Sequence, residues 1–141
     1  MYALWPRRYC SSDHGCEKGA LKLKEKAEPI FHEFKVDLVL QGHVHSYERS
    51  YPVYQDQVTS KDYNSPTAPV YILQGASGNR EGNKGGYPPE EEMPEYSATT
   101  HTEVGFALLT VSPSTLDWTF YEASTAETER KVLDTVTITR K

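Results

Sequence analysis

The sequence predicts an α/β domain in which one crossover unit of helix and strand is followed by mainly antiparallel strands. Three observations predict it. Leu21, Leu23, Ala27, Ile30, Phe31 and Phe34 recur at roughly helical intervals between lysines and glutamates. Residues 36–40, with Val36, Leu38, Val39 and Leu40, form a short apolar run of the kind that suits a parallel strand covered on both faces. In residues 116–122, Leu116, Trp118 and Phe120 alternate with Asp117, Thr119 and Tyr121 as in a half-buried antiparallel strand. With 141 residues the chain is one domain's worth, read as a single domain over 1–141.

Taken in order, Met1 to Trp5 read as the end of a strand, and Ser11, Ser12, Asp13 and Gly15 as loop chemistry. The amphipathic helix is expected over 18–35. Pro29 removes a helical hydrogen bond and disfavours helical geometry at Glu28, so either a kink or a break with a second short helix is expected. After the strand at 36–40, residues 55–69 are polar and turn-rich and predict a surface loop. Residues 70–73 predict a strand. Gly75, Gly78, Gly82, Gly85 and Gly86 fit neither a Walker loop nor a dinucleotide turn, which favours a structural loop. Glu90, Glu91, Glu92 and Glu95, flanked by prolines, read as a solvated loop rather than cation ligands. Residues 104–111 and 116–122 predict a hairpin across Ser112, Pro113, Ser114 and Thr115, and 132–139 a last strand.

The formal charge of −5 leaves no basic footprint, so no nucleic-acid partner is expected. No run approaches a membrane span, no internal repeat occurs, and nothing at 1–10 reads as an export signal. The two cysteines, Cys10 and Cys16, are close enough for a tight disulfide worth about 2 kcal/mol on the loop-entropy model. Two free thiols are the equal alternative.

The stretch that organises the chain is 36–54, VDLVLQGHVHSYERSYPVY. Gly42 is expected to free the backbone where the strand ends, and two imidazoles, His43 and His45, follow. At the rise of an extended chain their Cα atoms lie about 6 to 7 Å apart. That span suits side chains converging on neighbouring ions about 3.5 to 4 Å apart, each reached through a bond of about 2.1 Å.

A lone His-x-His is common, but the strand before it and Ser46, Tyr47, Glu48 and Arg49 behind it are more specific. Together they resemble the purple acid phosphatases, binuclear metallophosphoesterases with a Gly-His-x-His loop. Residues 71–82 (YILQGASGNREG) resemble the family's glycine-rich stretch and 105–134 its closing strands. The resemblance implies the C-terminal half of a two-sheet sandwich, with this chain giving one sheet and a missing N-terminal half the other. It implies metal-dependent hydrolysis of phosphate monoesters at a centre of iron(III) plus a divalent ion, namely zinc, manganese or iron. His43 would bind the divalent metal and His45 the iron(III), with Glu48 and Arg49 bracing the loop. The family is typically secreted, lysosomal or vacuolar.

The resemblance also marks what is absent. The family's remaining aspartate, Gly-Asp-x-x-Tyr and Gly-Asn-His ligands do not occur here, and its His-x-Pro-x-Tyr histidine aligns with Trp5, whose indole only donates. Residues 1–8 are thus atypical. An altered start, a gene-model artefact and a truncation all account for them. His14 falls where the family places a substrate-side histidine, a candidate to contact phosphate or protonate the leaving group; a solvent-facing loop histidine is the alternative. His32 and His101 carry no motif. Each ion needs about three or more protein ligands, so the chain alone is expected to bind metal weakly and hydrolyse esters poorly. A non-catalytic interaction module is the rival reading. A half-sandwich would also expose apolar surface, which predicts a homo-oligomer or pairing with the missing half.

Overall fold

The computed structural model describes residues 14–80, 82, 83, 87, 93–123 and 130–140, with the backbone alone for 14–20. The expected strand end at Met1 to Trp5, the Cys10 and Cys16 thiols and Glu90, Glu91 and Glu92 lie outside those residues. The elements run α1 (His14–Glu33), β1 (Leu38–Gln41), β2 (Tyr47–Ser50), β3 (Val53–Tyr54), β4 (Gln57–Val58), β5 (Val70–Gln74), β6 (Ser97–His101), β7 (Gly105–Val111), β8 (Thr115–Glu122) and β9 (Val132–Thr139). The expected class holds: helix α1 and strand β1 come first, β1 pairs in parallel with β5, and the other strand pairings are antiparallel.

Four strands form one sheet in the order β1-β5-β2-β6, and β7-β8-β9 form a second. Leu38 to Gln41 pair in parallel with Val70 to Leu73, while β2 runs antiparallel to both β5 and β6. Both sheets of the packed pair are therefore built from this chain, where the sequence reading assigned it one. Side-chain alternation along β5 shows how the layers meet. Val70 and Ile72 face Trp118, Phe120, Val136 and Ile138 of the second sheet, and Tyr71 faces the helix side with Phe31, Val53 and Tyr96. The strand buried on both faces is thus β5. The prediction had given that place to β1, but β1 lies at the sheet edge and Leu40 is 49% exposed.

Helix α1 starts at His14, earlier than expected, and passes Pro29 without a break. Contacts on both sides of the proline hold it. Lys24 Nζ lies 2.7 Å from Asp56, the Glu28 carboxylate accepts the Gln55 N–H at 3.0 Å, and Phe31 packs on the sheet. Lys35, at φ 51°, then ends the helix in a left-handed turn in which Val36 N–H donates to Phe31 C=O at 2.9 Å. The predicted surface loop at 55–69 begins inside the β3-β4 hairpin. Its tip residues Gln55 and Asp56 have φ of 50° and 65°, a primed turn without the Asn-Gly pair that usually announces one.

Candidate metal-binding turn

The carboxyl ends of β1 and β5 lie side by side, and residues 42–46 bend there before the chain returns as β2. Gly42 was expected to permit this bend. Its φ lies outside the left-handed region, and an added Cβ would meet nothing nearer than Gln74 C=O at 4.0 Å. The strained residue is His43, at φ 81°. Left-handed geometry is uncommon for a residue with a Cβ and persists where the surroundings enforce it.

Those surroundings are Val44, Ser46 and Gly75. Val44 is buried against Leu73, Ser46 N–H donates to Val44 C=O at 2.9 Å, and Gly75 N–H donates to Ser46 C=O at 3.0 Å. A Cβ at Gly75 would overlap the Val44 carbonyl oxygen. Gly75 is therefore the glycine this turn requires, and its place in the glycine-rich stretch supports the structural reading of that stretch. With Val44 anchored inward, His43 is exposed and His45 half-buried at the rim. His14 opens α1; its side chain lies outside the described residues.

Behind the turn sits a buried polar cluster that the sequence did not announce. Tyr47, fully buried, stacks on Phe120 with centroids 4.2 Å apart and donates its hydroxyl to Asp134 Oδ2 at 2.6 Å. Arg49 reaches the same carboxylate twice, Nε to Oδ2 at 2.7 Å and Nη2 to Oδ1 at 2.8 Å, and its Nη1 donates to Tyr63 Oη. Trp118 Nε1 donates to Tyr47 Oη at 3.0 Å. Burial would raise the Asp134 carboxyl, but the hydrogen bonds and charge of Arg49 outweigh it and hold the group below the usual carboxylate range. Burial first, and then Asp134, push the Tyr47 hydroxyl upward, so it remains a donor. Burial pushes the Tyr63 hydroxyl up to about 12. Arg49 thus ties the first sheet to β9 and reaches the turn only through its own strand. Glu48 is buried within β2.

His101 belongs to strand β6, pairs with Tyr47, and sets its ring 5.9 Å from Tyr47 and 6.1 Å from Phe120. His32 stacks on Tyr54 at 4.0 Å. Both are packing residues. Among the described residues, no group of three or more His, Cys, Asp or Glu side chains gathers into a metal site. His43 and His45 offer two imidazoles, a donor type suited to zinc and iron, but fewer than one ion needs. They fit part of a centre.

A parallel pair opening into a His-x-His turn, with an antiparallel sheet packed behind it, is the arrangement of a metallophosphoesterase. Comparison with known proteins narrows the class. The family model described as "Iron/zinc purple acid phosphatase-like protein C" matches residues 68–135. Probable purple acid phosphatase 20 of Arabidopsis thaliana is 37% identical over 82% of this chain and 25% of its own length. Acid phosphatase type 7 of Danio rerio is 32% identical over 81% of this chain and 26% of its own. A purple acid phosphatase from yellow lupin (Lupinus luteus) seeds has the same fold with a TM-score of 0.75 at 24% identity, covering 99% of this chain and 23% of that one. The chain belongs to the purple acid phosphatase family and matches its C-terminal part. It spans about a quarter of the length of the curated relatives it matches.

Proposed function

We propose that residues 1–141 form, as one domain, the C-terminal part of a purple acid phosphatase catalytic domain that hydrolyses phosphate monoesters, with His43 and His45 as ligands of its binuclear centre. The observation that carries this reading is the strained His43, held at φ 81° by Val44 and Gly75 where two parallel strands open. A turn kept in such a conformation at the carboxyl ends of parallel strands is where α/β sheets place their ligands. His43 would ligate the divalent ion and His45 the iron(III), each as a neutral imidazole. When bound, the metals supply a hydroxide and neutralise phosphate oxygens. His14 would face the substrate. The remaining donors lie outside the described residues, so the isolated chain is expected to bind metal weakly and turn over slowly.

The test is co-expression with the preceding catalytic segment of a purple acid phosphatase, assayed on p-nitrophenyl phosphate. Hydrolysis by the assembled protein, abolished by His43→Ala or His45→Ala, is the expected result; continued inactivity with a fully loaded metal site overturns the reading. The two-donor count among the described residues favours one alternative, a non-catalytic interaction module on the same fold. It would take up metal equally with and without the two histidines.

A further inference from the structure

We propose that Asp134 is a positioning residue for the His43 to His45 turn, acting through Tyr47; this rests on the reading of that turn as the metal-binding element. Asp134 belongs to β9 in the second sheet, and its side chain is almost wholly buried, yet it accepts three hydrogen bonds from β2. Tyr47 and Arg49, the donors, stand two residues apart on one face of that strand. Both ends of Tyr47 are fixed. Its hydroxyl is held by Asp134 and Trp118, and its carbonyl accepts the Tyr87 hydroxyl at 2.5 Å. Only Ser46 separates Tyr47 from His45, and Ser46 is bonded on one side to Val44 and on the other to Gly75. Bonded groups therefore run without a gap from Asp134 to the backbone of the turn.

The connection has a reason beyond packing. β2 has only four residues, and its register against β6 shifts between Arg49 and Ser50. Register is specified by what the faces of a strand bury, and sliding β2 would move every side chain it carries, the adjoining imidazoles included. Directional bonds to a buried carboxylate exclude the slid position, because it would strand Arg49 and Asp134 without each other.

The experiment uses the whole chain, labelled with nitrogen-15, as wild type, Asp134→Asn, Tyr47→Phe and Ile138→Ala. Ile138 is buried in the same core on the same strand and makes none of these hydrogen bonds. Asp134→Asn and Tyr47→Phe are expected to speed amide exchange at Ser46 and Gly75 about tenfold and to shift the His45 imidazole resonances, while Ile138→Ala lowers Tm and leaves both unchanged. Tyr47→Phe keeps the ring and serves if Asp134→Asn does not fold. Wild-type exchange and resonances in the first two variants, or equal changes in Ile138→Ala, overturn the proposal. Added zinc ions separate the two readings: if they leave the wild-type His43 and His45 resonances unmoved, metal binding by the turn fails, and the exchange comparison still decides the role of Asp134.

Discussion

Two glycines at the mouth of β1 and β5 separate what the motif suggests from what the backbone needs. Gly42, inside the motif, has room for a methyl group, whereas Gly75, outside it, has none. Gly42→Ala is therefore expected to change stability by less than about 1 kcal/mol, and Gly75→Ala to lower it by about 1–3 kcal/mol through displacement of the turn, both read by denaturant melts. Asp134 gives a second residue-scale prediction. Removing its charge strands buried Arg49, and Asp134→Asn should lose about 3–5 kcal/mol at neutral pH. The pH dependence follows from the direction of its shift. A carboxyl held below its unfolded value of about 3.9 contributes stability above that pH and loses it as pH falls through the folded value. Wild type should thus weaken steeply on acidification below about pH 4, and Asp134→Asn less so; parallel acid limbs for the two would contradict the assignment.

Strands that announce themselves by apolar pattern were legible, and those that bury polar residues were not. β5, β7, β8 and β9 follow their sequence signals closely. β2 reads Tyr-Glu-Arg-Ser and looks like loop chemistry, yet all four residues are buried, because Arg49 finds its partner in Asp134 on a strand distant in sequence. β6, Ser-Ala-Thr-Thr-His, has no apolar alternation and gains its place by pairing with β2. The His-x-His stretch stands out by its spacing and neighbours, while the packing of Gly75 against it and the Asp134 cluster behind it depend on contacts that no local pattern encodes. Helix α1 tests the same limit. Pro29 sits inside a continuous helix because Lys24, Glu28 and Phe31 anchor it on either side. Pro29→Ala should then restore a helical hydrogen bond and raise stability by about 1–3 kcal/mol, seen as a higher Tm; an unchanged or lower Tm would show that the proline's geometry is needed there.

Across the whole molecule, the sandwich leaves apolar surface open. Leu109 and Val111 lie in register with the core-lining Trp118 and Leu116, yet Val111 is 64% exposed, and β7 ends the second sheet as an edge of seven residues without a charge. On α1 and the turn after it, Ile30 and Phe34 are also exposed. Open apolar edges pair with other chains, so sedimentation velocity should show concentration-dependent self-association. Leu108→Lys, on the outward face of β7, should reduce it while changing stability by less than about 0.5 kcal/mol. A monodisperse, cooperatively folding wild-type monomer would contradict this. No described helix is long and apolar enough to cross a membrane.

The turn between β1 and β2 holds two imidazoles on a frame built elsewhere in the chain, and the proposed function makes them metal ligands. Calorimetric titration of the purified chain with zinc tests that most directly. Weak but saturable binding, lost when His43 and His45 are both replaced by alanine while the melting temperature holds, is the predicted result. Binding heats indistinguishable between wild type and the double variant would contradict it.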